Sequence, residues 1–242
     1  MTRRIDLRKI RWVFISHEHS DHVYGLAGLC SHMDCRAFMT SGTYDNMRPK
    51  YRPDDNLITI FRPGDSIQAG PFVVHSFPKP HDVVEPCSFR VEVGDVNVGV
   101  FTDIGDDCQG LRQNLSACTM AFMESNYDPD LLAAGPYPQI LKDRITCGRG
   151  HLSNPLSARI VTEVAPPNLK ALFLSHVSED NNRPDIALQA FASLKDKYLI
   201  KVMSRHEASD IWRITDDGLV CEPTMPIIPD RLDRPAVQLD LS

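Results

Sequence analysis

The chain of 242 residues is long enough to bury one large core, and its formal charge of −6 excludes a broadly basic surface of the kind that holds nucleic acid nonspecifically. No apolar run approaches membrane-spanning length, and the charged opening "MTRRIDLRKIRW" lacks the apolar segment of a secretory signal, so the expected compartment is the cytoplasm, with no membrane partner. Seven cysteines, odd in number and scattered through apolar stretches, are expected to be small buried thiols rather than a disulfide framework.

In chain order, short runs rich in Val, Ile and Phe predict strands over Trp12–Ser16, Ala37–Thr40, Leu57–Phe61, Phe72–Phe77, Ser88–Val93 and Val96–Thr102. A helix over Val23–Met33 follows the first of them. "VEVGDVNVGVFTD" reads as a hairpin turning at Gly94-Asp95. Further strands are expected at Thr119–Glu124, Ala171–Ser175 and Ile200–Val202. Helices are expected at Asp107–Leu115, Pro129–Ala134, Pro138–Arg144, Pro155–Val164 and Pro184–Lys195, several of them opened by a proline. The elements make an α+β chain with one domain over 1–222 and an extended, proline-rich tail over 223–242.

The densest chemistry is "FISHEHSDH". His17 and His19 are two apart after an apolar strand, so an extended backbone sends both to one side. Asp21 and His22 follow where the chain turns into a helix. Neutral imidazole and carboxylate suit Zn, Mn or Fe, and the HExxH zinc pattern is excluded because Asp21 stands four residues after His17. Four ligands this close are used better by two ions roughly 3.5–4 Å apart than by one. Three further candidates each follow an apolar strand: His81, Asp103 and His176. An acid such as Asp103 behind an apolar run needs a partner.

The pattern H-x-H-x-D-H with a distant His, Asp and His resembles the metallo-β-lactamase fold, a four-layer αββα sandwich. "ESNYDPDLLAAGPYP", "GHLSN" and "LSHVSEDNN" resemble its YycJ/WalJ branch, related to RNase Z and to phosphoribosyl cyclic phosphodiesterases. The likeness runs from about Arg11 to Leu194. It implies that His17, His19 and His81 hold one divalent ion, that Asp21, His22 and His176 hold a second, and that Asp103 bridges them. Members of the branch open with two further strands and an "IDAG"-like segment, so an N-terminally shortened first sheet is expected. Its open edge would favour a homodimer.

Glu124 ends an apolar run and His151 precedes a proline-led helix, a carboxylate–imidazole couple suited to general acid chemistry. "GHLSN" also stands before a helix start able to receive phosphate, which makes Ser153 and Asn154 candidate substrate contacts. Ser178, Asn181 and Asn182 in "SEDNN" are others. The expected reaction is phosphodiester hydrolysis: a metal-bridging hydroxide attacks phosphorus, Asp21 orients it, and His151 protonates the leaving oxygen. The resemblance implies a 5′-to-3′ exonuclease on DNA. Two other classes stay open, a small-molecule hydrolase of cyclic phosphodiesters, thioesters or lactones, and a noncatalytic relative that keeps the cage.

Overall fold

The computed structural model describes residues 9–215 and 218–222, so the 223–242 tail lies outside the described residues. Three strands, β1 (Trp12–Phe14), β2 (Arg36–Thr40) and β3 (Ile58–Phe61), form a small parallel sheet in that order. Between them lie helices α1 (Ser20–Val23), α2 (Leu26–Met33) and α3 (Ser41–Asn46). Strand β2 shows why the sheet is sandwiched. Ala37 and Met39 turn into a cluster with Leu26 and Cys30 of α2, while Phe38, between them, turns the other way.

Seven strands make the large sheet: β4 (Ser66–Ala69), β5 (Phe72–Pro78), β6 (Cys87–Val93), β7 (Val96–Phe101), β8 (Met120–Glu124), β9 (Ala171–Ser175) and β10 (Leu199–Val202). Pairing is antiparallel from β4 to β7 and parallel from β7 to β10. The expected hairpin closes at Val93↔Val96, with Gly94 at φ 54°, a conformation glycine reaches without steric cost. Phe14, Phe38 and Phe61 from the small sheet meet Ala69, Val74, Cys87 and Phe89 from the large one, with the Phe14 and Phe38 rings stacked at 4.7 Å.

The opposite face of the large sheet packs Phe77, Phe101, Ala121, Met123, Leu172 and Leu174 against helices. These are α4 (Gln109–Leu115), α7 (Asn154–Val164) and α8 (Pro184–Ala190), which supply Leu111, Leu115, Ile160, Val161 and Ala187. The order α2, small sheet, large sheet, α4/α7/α8 is the expected αββα sandwich. Two short helices, α5 (Pro129–Ala134) and α6 (Gln139–Thr146), stand at its rim. A final hairpin, β11 (Ile211–Thr215) with β12 (Gly218–Glu222), lays Trp212, Ile214 and Leu219 over Phe173 and Met120.

Several expectations need correction. The helix from Val23 to Met33 is two helices broken at Tyr24-Gly25, so Asp21 and His22 sit inside a one-turn helix rather than in a bend before one. The Pro184–Lys195 helix stops at Ala190 and gives way to a 3₁₀ turn over Ala192–Leu194. Strand β4, helix α3 and the β11–β12 hairpin carried no recognised signal. Four cysteines (Cys30, Cys35, Cys87, Cys118) are buried as expected, but Cys147 and Cys221 are exposed. No described helix is long and apolar enough to cross a membrane.

Candidate metal centre

Strands β5, β7, β8 and β9 run in one direction, so the loops leaving their C-terminal ends gather on one edge of the large sheet. The loop after β5 carries His81, the loop after β7 carries Asp103, Glu124 ends β8, and His176 follows β9. The segment after β1 brings His17, His19, Asp21 and His22 to the same place from the small sheet. Asp103 and His176 sit at φ 55° and 56°, the left-handed region that costs a non-glycine residue of order 1–3 kcal/mol. Strain at these two strand ends marks backbone held in place by its surroundings.

Ligand atoms of His17, His19 and His81 lie within 4.8 Å of one another, and so do those of Asp21, His22 and His176. The two groups meet at Asp103, whose carboxylate oxygens are 3.5 Å from His22 Nε2 and 3.4 Å from His176 Nε2. His81 Nε2 and Asp103 Oδ2 are buried without a hydrogen-bond partner. Buried polar atoms are rarely left so, and an imidazole nitrogen beside a carboxylate oxygen is the donor set that a divalent cation takes up. The residues therefore fit the ions that the sequence pattern implies.

The outer ring nitrogens explain how the inner ones are aimed. His17 Nδ1 is 2.9 Å from Ser16 Oγ, which also lies 3.4 Å from His22 Nδ1. His81 Nδ1 is 3.2 Å from the Gly150 carbonyl. His176 Nδ1 donates to Glu124 Oε1 at 2.9 Å. Each contact occupies Nδ1 and leaves Nε2 toward the centre, the arrangement that sets tautomer and ring orientation in metal-binding histidines. Gly150 reaches His81 only because it has no side chain, since a Cβ there would lie 2.2 Å from the Ile145 carbonyl oxygen.

Glu124 is fully buried and accepts three hydrogen bonds: His176 Nδ1 and His151 Nδ1 (2.8 Å) on Oε1, and the Ile104 N–H (2.7 Å) on Oε2. Burial opposes its charge, but these donors outweigh it and hold its pKa below the usual carboxylate value. Asp103 follows the same rule: burial raises, while His176, Lys79, His22 and His17 lower, and the carboxylate stays ionised.

Lys79 was not recognised from sequence. It is buried, donates from Nζ to the Thr102 carbonyl at 2.7 Å, and interacts electrostatically with Asp103 and Glu124. Burial pushes its pKa down, against the pull of those two acids. Ser16, Gly150 and Asn126, which donates to the His176 carbonyl at 2.7 Å, were equally unrecognised.

A cavity of about 260 Å³ opens on this centre, lined by His19, Asp21, His81, Asp103, His151 and His176. Its outer wall carries Tyr137, Arg144 and Arg205. Ser178 and Asn181 line it too. Ser153, Asn154 and Asn182 do not. Ser153 Oγ caps α7 by accepting from Leu156 N. Asn154 and Asn182 are buried, with Asn182 Nδ2 donating to the carbonyls of Ser125 and Asn126 and to Asn154 Oδ1. Their polar atoms are spent on joining loops. Asn182→Ala is expected to cost about 1–3 kcal/mol of stability by leaving those acceptors buried and unpaired, checked as a fall in denaturation midpoint at unchanged slope. His206 and His32 are both exposed and away from the centre, His32 contacting the Gly28 carbonyl.

The histidines set a pH response for the metal-free protein. Burial lowers the pKa of His17 and His22 and brings His81 down to about 4, so the folded state holds them neutral. Below the unfolded value of about 6.5 the unfolded chain binds more protons, and stability falls as pH drops from there toward 4. His176 runs the other way. Burial lowers it, but Glu124 and Asp103 raise it to about 8, so its contribution is present below 6.5 and lost as pH rises through 8. Chelated protein is expected to lose melting temperature as pH falls from about 6.5 toward 4, the window in which the unfolded chain protonates His17, His22 and His81 and the folded one resists.

Residues 1–176 match the beta-lactamase superfamily domain. The exodeoxyribonuclease YycJ of Bacillus anthracis is 27% identical over 195 residues, 80% of this chain and 74% of that protein. The exodeoxyribonuclease WalJ of Streptococcus pneumoniae serotype 2 (strain D39) is 30% identical over 181 residues, 72% of this chain and 66% of that protein. In three dimensions the chain resembles the metallo-beta-lactamase fold protein YhfI from Bacillus subtilis, with a TM-score of 0.63 at 16% identity over 83% of this chain and 77% of the other. Taken with the layered sandwich and the histidine–aspartate centre at its strand ends, the match over 1–176 makes this chain a member of the beta-lactamase superfamily, in its metallo-β-lactamase fold.

Proposed function

We propose that the chain is a metal-dependent phosphodiester hydrolase that removes nucleotides from DNA in the 5′-to-3′ direction. The observation that carries the reading is the Glu124–His151 couple facing two convergent ligand groups joined at Asp103. DNA as substrate is supported by the exodeoxyribonucleases to which the chain is similar. His17, His19 and His81 would hold one divalent ion and Asp21, His22 and His176 another, with Asp103 shared. Bound there, such ions supply Lewis acidity toward water and toward the phosphate oxygens.

The chain's own residues do the rest. Glu124 Oε1 accepts from His151 Nδ1–H and leaves Nε2 toward the cavity, so the imidazolium, protonated on both nitrogens, gives its Nε2 proton to a leaving alkoxide and keeps the one on Nδ1. Glu124 also aims His176, so one buried acid aligns a proton donor and a ligand together. Asp21, exposed at the cavity edge, has its carboxylate 3.5 Å from His22 Nε2 and is placed to accept a proton from an attacking water. Lys79 fixes the backbone just before Asp103 through the Thr102 carbonyl. Ser178 and Asn181, with Tyr137, Arg144 and Arg205, line the cavity that would take the substrate's backbone.

The test follows 5′-labelled and 3′-labelled duplex DNA in Mn²⁺. Stepwise loss of the 5′ label is the expected result. An intact duplex beside rapid hydrolysis of a cyclic nucleotide would replace the exonuclease reading by the small-phosphodiester one, and turnover of neither would leave a metal-holding relative without catalysis.

A further inference from the structure

The stretch "NMRPKYRP", residues 46–53, places Arg48, Lys50 and Arg52 within five residues of a chain whose formal charge is −6. It folds as a 3₁₀ turn over Pro49–Tyr51 beside α2. Arg52 serves the turn itself, donating to the carbonyls of Met47 and Asp45 and stacking its guanidinium 4.6 Å from the Tyr44 ring. Arg48 and Lys50 are exposed, and neither has a carboxylate partner among the described residues.

The Tyr51 ring is largely buried, and Lys50 Nζ lies 4.9 Å from its centre. Across it stands Tyr24, ring centres 5.8 Å apart, with 77% of its surface exposed. Tyr24 is the first residue after α1, two residues beyond His22, so the same one-turn helix presents the candidate metal ligands and this aromatic face. A large flat ring left in water, against a turn that carries two exposed cations without carboxylate partners among the described residues, has no role in the core.

We propose that Tyr24, Arg48 and Lys50 form a platform for an unpaired stretch of polynucleotide leading to the metal centre. The aromatic face takes a base by stacking, which tolerates any sequence, and the two cations take flanking phosphates. The occupant is a nucleic acid strand because the platform continues from the metal centre through α1 and carries the charge opposite to phosphate. The inference rests on the phosphodiester reading above, and it adds a binding surface outside the cavity.

The experiment uses the full chain in EDTA, where cleavage cannot occur, with fluorescein-labelled dT12 followed by anisotropy. Tyr24→Ala is expected to weaken binding about fivefold or more, and Tyr24→Phe, which keeps the ring face, to bind like the wild type. The double variant Arg48→Ala/Lys50→Ala is expected to flatten the salt dependence, by about 0.7 in logarithmic slope for each phosphate no longer neutralised. Turnover of bis(p-nitrophenyl) phosphate in Mn²⁺, too small to reach the platform, stays within about twofold of wild type. Wild-type binding to dT12 that is absent, or that the Tyr24→Ala and double variants leave intact, overturns the platform. So does an equal loss of small-diester turnover in these variants, which would place the residues in the centre or the fold. If wild-type protein binds dT12 through these residues yet cleaves no diester, the platform stands and the hydrolase reading falls.

Discussion

Asp103→Asn is expected to lower phosphodiester turnover roughly a hundred- to ten-thousandfold and to reduce the metal bound per chain. The substitution removes the one charge that both groups of ligands share, at 3.5 Å from His22 and 3.4 Å from His176. Breaking a buried charged pair on one side costs about 3–5 kcal/mol, which sets the range. Asparagine is the informative replacement because it tolerates the φ of 55° at this position, whereas alanine would add backbone strain to the loss of charge. Lys79 and His176 would also lose a neighbouring negative charge, so destabilisation of the metal-free protein accompanies the loss of metal. Metal content by elemental analysis and turnover on labelled DNA measure the two effects separately. Full metal content with full activity would remove Asp103 from the centre.

The second large effect concerns His151. With its Nδ1 held by Glu124, His151→Ala is expected to lower kcat about 10²–10⁴-fold, the usual worth of a placed proton donor, and to leave metal content unchanged. The measurement discriminates because Asp103, His151 and His176 also bring ligand atoms within 4.8 Å of one another. Loss of an ion in the variant would make His151 a ligand rather than an acid. A DNA analogue with a better leaving group supplies a second readout: it restores rate to a variant that lacks only the proton donor. Glu124→Gln should be worse than His151→Ala, since that side chain holds two imidazoles and the Ile104 N–H at once.

Much of the centre was legible in the sequence because His17, His81, Asp103 and His176 each follow an apolar run. Phe77, Phe101 and Leu174 are buried strand residues, and a histidine or aspartate within a few positions of such a residue is conspicuous. The four-layer order came through the resemblance, and the alternation of Ala37, Phe38 and Met39 bears it out. What stayed hidden has a common physical cause. Ser16 and Gly150 act through a hydroxyl and a backbone carbonyl, groups that every sequence offers everywhere, and Gly150 reaches His81 across 69 positions. Lys79 carries no sequence mark of the burial that folding gives it. Strand β4 is four residues with two of them polar and exposed, too short for a period to register. Asn154 and Asn182 stood next to the right motifs but spend every polar atom on the loops that carry them.

The candidate ligands are divided between the two sheets: His17, His19, Asp21 and His22 come with the small one, and His81, Asp103 and His176 with the large one. An ion held by His17, His19 and His81 is therefore a bond between layers whose shared core is made of phenylalanines and smaller apolar side chains. Such an ion binds only when both sheets are assembled, so its binding free energy becomes cohesion between them. Metal would thus govern cooperativity as well as chemistry. With it the sandwich melts as a unit; after chelation the N-terminal layer should loosen first, seen as early hydrogen exchange in β1 and β2 while β8 and β9 remain protected.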